Sequence, residues 1–183
     1  LMVACQNGHE QVARVMLENG AAVDAVENKQ WTALMFAAQN GHDLCARELL
    51  VNGAAVDAQN NEGWTALMYS AQNGHDLCAR AMIEAGANLE ATQNQGFTAL
   101  MLSAQNGHEQ VARDMIKAGA AVNHAAANGF TALMLSAQNG HDLCARALLE
   151  NGAHVNKKGP QGFSYLMVAC QNGHEQVARV MLE

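Results

Sequence analysis

His and Cys recur in this chain at spacings that metal binding or nucleophilic catalysis would use. His42-x-x-Cys45 and His75-x-x-Cys78 each set two ligand-type side chains at i and i+3. Zinc asks for four ligands at about 2.0–2.3 Å, so a second pair would have to converge on each. The next His–Cys pair lies a full 33 residues away, and His9, His108 and His174 are followed at the third position by Val. A catalytic thiol needs one activated copy, oriented by a base and a third group. Here near-identical copies recur and none is singled out. Gly occurs once per turn, with no phosphate-binding loop. The expectation is no catalytic residue, no metal and no cofactor, with each His hydrogen-bonding the turn between two helices.

The elements that would hold these residues follow from the stretch around the His. Gln-Asn-Gly-His stands at 6–9, 39–42, 72–75, 105–108, 138–141 and 171–174, a constant step of 33. A fixed period of this length marks one supersecondary unit stacked many times. In the copy Trp64–Gly96, Thr65–Asn73 reads as a short helix with Thr65 as N-cap, its hydroxyl accepting from a first-turn amide. Leu67, Ser70 and Ala71 form its inward stripe, and Asn73-Gly74 stops it, since Gly tolerates the left-handed conformation. Asp76–Ala85 reads as the second helix. Its first-turn acid, Asp or Glu in every copy, meets the positive end of the helix dipole, and Cys78, Ala79, Met82 and Ile83 give its apolar stripe. Gly86 ends it, and Ala87–Gly96 is a polar turn or hairpin. Helices this short are marginal alone and stand only as a stack.

The net charge is −7, with ten Lys and Arg among 183 residues. That argues against a nucleic-acid or anionic-membrane surface, and no apolar run reaches the roughly 20 residues of a membrane span. The five cysteines fall in two ladders, Cys45, Cys78 and Cys144 in one and Cys5 and Cys170 in the other. Neighbouring repeats pack about 8–10 Å apart, beyond the roughly 7 Å Cα separation of a disulfide. The ladders therefore cannot bridge along themselves, and all five read as small apolar residues in a reducing compartment. The expected location is intracellular and cytoplasmic, with an extracellular filament as the other option.

Gly-Trp-Thr-Ala-Leu-Met-x-Ser-Ala-Gln-Asn-Gly-His, followed by Ile-Glu-Ala-Gly-Ala-Asn-Leu, resembles the ankyrin repeat. The resemblance covers the whole chain and implies an all-α solenoid of helix-turn-helix units joined by short β-hairpins or turns. One domain, 1–183, then holds about five and a half repeats: a partial copy at 1–30, full copies at 31–63, 64–96, 97–129 and 130–162, and a partial copy at 163–183. Ala33, Ala66, Ala99 and Ala132, and Tyr165 in the last copy, replace the family's Pro, which loosens the start of the first helix. Met replaces the family's His, so the Thr–His hydrogen bond is lost. Gln30 stands where the other hairpins have Gly63, Gly96, Gly129 and Gly162, which predicts a distorted hairpin. Asn123 and Asn156 match the family's hairpin Asn, which some ankyrins present to an asparaginyl hydroxylase.

The resemblance implies a non-catalytic protein-interaction or scaffold module. An aromatic column, Trp31, Trp64, Phe97, Phe130 and Phe163, sits where each hairpin meets the first helix. It reads either as partner-binding hot spots or as a cover for the adjacent hairpin. A second column, Gln39, Asn40, Gln72, Asn73, Gln105, Asn106, Gln138 and Asn139, ends the first helices on the side that faces partners in this family. It never varies, which suits a periodic ligand, self-association or a ladder of inter-repeat hydrogen bonds. Variation is confined to hairpin tips such as Val26-Glu27-Asn28, Ala125-Ala126-Ala127 and Lys158-Gly159-Pro160. Arg14, Arg47, Arg80, Arg113, Arg146 and Arg179 form a third column, with Asp or Glu four residues before each in the favourable order; it reads as a self-neutralised, solvated face.

Residues 1–18 and 166–183 are identical. The related window at 100–117 departs from them at Leu102, Ser103, Ala104, Asp114, Ile116 and Lys117, so a five-repeat super-period lies above the 33-residue one. The chain begins and ends inside repeats, without the polar caps that close solenoids. The expectation is a window on a longer array, in which Asn-Gly-Ala-Ala-Val-Asp-Ala would follow Glu183, or a unit stacking end to end into a filament through Leu1, Met2, Met181 and Leu182.

Overall fold

The computed structural model describes residues 1–159 and 162–183; Pro160, in the last of the variable tips, lies outside the described residues. Among the described residues every repeat supplies a pair of helices. The pairs are α1 (Met2–Gln6) with α2 (Glu10–Glu18), α3 (Ala33–Asn40) with α4 (Asp43–Val51), and α5 (Ala66–Asn73) with α6 (Asp76–Glu84). They continue with α7 (Ala99–Asn106) and α8 (Glu109–Lys117), α9 (Ala132–Asn139) and α10 (Asp142–Glu150), and α11 (Tyr165–Gln171) and α12 (Glu175–Leu182). The odd-numbered helices stack on one another as one layer and the even-numbered helices as a second. The second helix of the copy at 64–96 ends at Glu84, with Ala85 as its C-cap.

The signals that start and stop the first helices are local. Thr32, Thr65, Thr98 and Thr131, and Ser164 in the last copy, accept from the amide three residues on at 3.2–3.4 Å. Such a cap contributes about 1 kcal/mol. Gly41, Gly74, Gly107 and Gly140 end α3, α5, α7 and α9 at φ of 74–81°.

One continuous core runs between the layers. Met35, Met68, Met101 and Met134 are buried in it, so apolar packing fills the position where the related pattern has a hydrogen-bonding His. Ser70, Ser103 and Ser136 are fully buried and donate to the carbonyl three residues back at 2.8–2.9 Å. That satisfies the hydroxyl while keeping the helix surface thin. Tyr165 is buried where the other copies have Ala, and its hydroxyl accepts from Thr131 Oγ1 at 3.0 Å across the repeat boundary.

The hairpins close with few β contacts. Isolated antiparallel bridges join Val26 to Thr32, Ala125 to Thr131 and Lys158 to Ser164. Successive tips are tied by the amides of Asn61, Asn94 and Ala127 donating to Lys29, Glu62 and Gln95 carbonyls at 3.1–3.4 Å. A second set of ties is made by side chains: Asp24, Asp57, Glu90 and Asn123 accept from the amides of Ala55, Asn88, Ala121 and His154 at 2.7–2.9 Å.

The hairpin at Gln30 is not distorted, contrary to the expectation from sequence. Gln30 takes φ +64°, close to Gly63 at +77°, and its amide donates to Glu27 O at 2.9 Å as Gly63 does to Asn60 O. The hairpin is held by Glu27 Oε1, which accepts from the amides of Lys29 and Trp31, and by the Asn61 amide of the next hairpin donating to Lys29 O, and the strain falls on one residue. A non-Gly residue pays roughly 1–2 kcal/mol in this region, against about 0.5–1 kcal/mol of backbone entropy for Gly. The exposed Gln30→Gly chain should therefore melt at a higher denaturant midpoint, by about 0.5–1 kcal/mol, with an unchanged slope; an unchanged or lower midpoint would show that the position carries no strain.

Candidate functional site

The His column is where chemistry looked most available. Five of its six rings, those after His9, reach back into the preceding repeat. Nε2 of His42, His75, His108, His141 and His174 lies 3.0–3.1 Å from the carbonyl oxygens of Gln6, Gln39, Gln72, Gln105 and Gln138. A carbonyl only accepts, so Nε2 carries the proton and donates. The turn that each His serves is thus the previous copy's, a refinement of the local bond expected from sequence. The other side of the ring is also occupied: a Cβ built on Gly41 would stand 2.6 Å from His75 Nδ1. Gly41 is therefore fixed by its positive φ and, separately, by the ring above it. Among the described residues no group of three or more His, Cys, Asp or Glu could hold a metal ion.

The thiols are turned away from reactivity. Burial pushes the Cys5, Cys78 and Cys144 thiols up to about 12 and raises Cys45 as well. Nucleophilic attack needs the thiolate, which these sites suppress. Cys170 repeats the position of Cys5, yet Cys5 is fully buried while Cys170 is exposed. The difference is the following repeat, which covers Cys5.

The Arg column pairs by a rule that spacing alone did not give. The expected pair within one helix forms for Arg14, Arg113 and Arg179 with Glu10, Glu109 and Glu175 at 2.5–2.6 Å. Where the acid is Asp43, Asp76 or Asp142, one methylene shorter, Arg47, Arg80 and Arg146 pair only across the repeat boundary. Arg14 and Arg80 reach Glu48 and Asp114, 34 residues on. Arg47 and Arg113 face Ala81 and Ala147 there, and reach Glu84 and Glu150 instead. These exposed pairs add little each and weaken with salt, but they leave this edge neutralised.

The aromatic column is graded along the array. Trp31, Trp64 and Phe130 are half-buried, Phe97 is buried, and Phe163 is 43% exposed. Tyr69 inserts between the first two: its ring centroid lies 4.5 Å from Trp31 and 4.9 Å from Trp64, nearly parallel to the latter. Phe36 adds a further contact to Trp31 at 5.0 Å. Asn60, also buried, donates to the Tyr69 hydroxyl at 2.9 Å and accepts from the amides of Glu62 and Trp64. The sequence contained this cluster in the coincidence of both Trp residues with the Phe36 and Tyr69 copies.

The Gln–Asn column lies beside the aromatics. Gln39, Gln72 and Gln105 are partly exposed, as Gln138, Asn40, Asn73, Asn106 and Asn139 are more fully. The inter-repeat ladder runs through the Gln backbone carbonyls, while the Gln side chains make no hydrogen bond among the described residues. Asn40, Asn106 and Asn139 amides return to their own helix at 2.8 Å, and only Asn73 crosses, to Gln39 O at 3.0 Å. The two columns meet in a cavity of about 400 Å³ bounded by Phe130 and Phe163 on one side and Gln138, Gln171 and Asn172 on the other.

At the ends, Leu1 and Met2 are half-buried against the core. Met181, expected to be free, is turned into the core, because it occupies the inward stripe of α12. The apolar exposure is carried by Val3, Val12 and Val15 at one end and Met167 and Leu182 at the other. Among the described residues no helix is long and apolar enough to cross a membrane.

Comparison with known families gives a match to the model for ankyrin repeats in three copies, over residues 1–60, 43–126 and 115–183. Comparison with curated proteins gives no match.

Two outcomes follow from this geometry. Gly41→Ala and Gly53→Ala both place a side chain at positive φ, but a Cβ at Gly53 meets nothing within 4 Å. Gly41→Ala should therefore lose about 1 kcal/mol or more beyond Gly53→Ala in a denaturant melt, from the displaced His75 ring; equal losses would remove the ring from the account. In the folded chain, one thiol should react fast with a maleimide, and peptide mapping should place it on Cys170, with the four buried thiols following only as the array opens.

Proposed function

The chain belongs to the ankyrin-repeat family, and on that premise we propose that it is a non-catalytic module that binds protein along the edge where the aromatic and Gln–Asn columns run side by side. Ankyrin repeats generally mediate protein–protein interaction and are typically non-catalytic. The observation that carries the reading is that both columns line one open cleft, Phe130 and Phe163 from the hairpin side and Gln138, Gln171 and Asn172 from the helix ends. Half-exposed aromatics give contact area at small entropic cost, and the unpaired Gln amides beside them supply donors and acceptors. The opposite edge supports the same choice, since every Arg there already has a carboxylate partner. The repeated Gln–Asn pattern suits a scaffold holding an extended or itself periodic partner.

A second reading, an array that assembles end to end, is favoured by a separate observation. The segment 166–183 repeats 1–18 residue for residue, yet the following repeat covers Cys5 while Cys170 is exposed. A copy seated on α11 and α12 would cover Cys170 as α3 and α4 cover Cys5.

One chain set tests both. With a photo-crosslinking side chain at Asn106 or at Gln110, discrete adducts to another protein should form from Asn106 and not from Gln110; equal yields from both would sink the interaction edge. For the second reading, Cys170 labelling should fall as concentration rises while sedimentation shows growing oligomers. Labelling independent of concentration, with a monomer throughout, would remove it.

A further inference from the structure

The cavity between Phe130 and Phe163 has a counterpart in the same chain that is already filled. Phe130, Phe163 and Val168 stand three repeats after Trp31, Trp64 and Tyr69. In the earlier copies the Tyr69 ring lies between the two indoles, at 4.5 and 4.9 Å. In the middle copies Leu102 and Leu135 hold this position and are buried. At Val168 the side chain is smaller again, Phe163 is 43% exposed, and about 400 Å³ stays open beside it. The buried Met134 and Val168 form the inner wall, and the exposed Gln138, Gln171 and Asn172 the rim.

We propose that this slot receives one uncharged aromatic side chain from a partner polypeptide, seated between Phe130 and Phe163 as Tyr69 is seated between Trp31 and Trp64. The inference rests on the protein-binding reading and names the group that reading would anchor. The chain itself shows which shape the scaffold accepts there, because its own repeats fill the same gap with a ring. Among the described residues none that lines it is charged, so a neutral ring enters without stranding a charge. Gly159 stands where Asn60 holds the Tyr69 hydroxyl, so a phenyl group loses nothing there relative to a phenol. The Gln138 and Gln171 amides at the rim then face the backbone of the segment that carries the ring.

The test uses the full chain with Met methyl labels and N-acetyl-L-phenylalaninamide as the probe, with N-acetyl-L-leucinamide as comparator. Saturable shifts are expected at the Met134 methyl with the phenylalanine probe and much smaller ones with leucine. Val168→Phe supplies the ring from within and should weaken probe binding by about tenfold or more. Val168→Leu, which copies Leu102 and Leu135, should give an intermediate loss and keeps the test intact if the larger variant does not fold. No shift at Met134, an equal response to leucinamide, or undiminished binding in Val168→Leu and Val168→Phe would overturn the proposal. If crosslinking from Asn106 persists in that case, the wider interaction reading stands and only the aromatic slot falls.

Discussion

Five imidazoles, His42, His75, His108, His141 and His174, are each held by the repeat before them, and the stack depends on that contact. The His ring donates through Nε2 to a Gln carbonyl at the end of the previous first helix. It lies over a Gly whose missing Cβ makes room for it. A carbonyl at a helix end has no partner within its own helix, so one bond closes that end, fixes the turn and positions the next pair. Because the first and second helices are eight or nine residues long in the full copies, none is stable by itself. Order is passed between neighbours, and stability becomes a sum of such junctions.

Around this repeated junction the two edges of the stack have diverged. The second-helix edge varies in its acids, and Arg14, Arg47, Arg80, Arg113 and Arg146 each find whichever carboxylate the next copy offers, at 34 or 37 residues. The hairpin edge keeps its backbone ties constant through Asp24, Asp57, Glu90 and Asn123. It varies instead in what fills the space beside the aromatics. Asn123 is committed on both sides, its amide donating to Gly152 O at 2.9 Å as its oxygen accepts from His154.

What could be read from sequence was what is decided within a few residues. Thr65 caps, Gly74 stops, and Leu67, Ser70 and Ala71 point inward because each depends on one helix turn. The contacts that escaped span the repeat boundary, where the rise between copies decides which atoms meet. His75 reaching Gln39 O, the short reach of Asp43 compared with Glu10, and Tyr69 between two Trp residues all belong to that class. Gln30 shows the same limit from the other side: its own preference is overruled by the bonds that close its hairpin through Glu27 and tie it to Asn61 of the next one. The aromatic column was open to two readings, and burial divides it by copy, with Phe97 enclosed and Phe163 exposed. The end residues divide likewise, Met181 inward and Leu182 outward.

The series Val3, Phe36, Tyr69, Leu102, Leu135, Val168 has a consequence for how the array could be addressed. A ladder of identical backbone junctions would look the same after a shift of one repeat, and a ligand matched to that period could slide along it without penalty. The change of side chain at this one position, aromatic at Phe36 and Tyr69, leucine at Leu102 and Leu135 and valine at Val3 and Val168, breaks the translational symmetry. It gives the stack a polarity and sets the aromatic, leucine and valine copies apart, so moving a ligand that spans several copies by one repeat is no longer equivalent. An otherwise uniform surface thereby acquires a register mark.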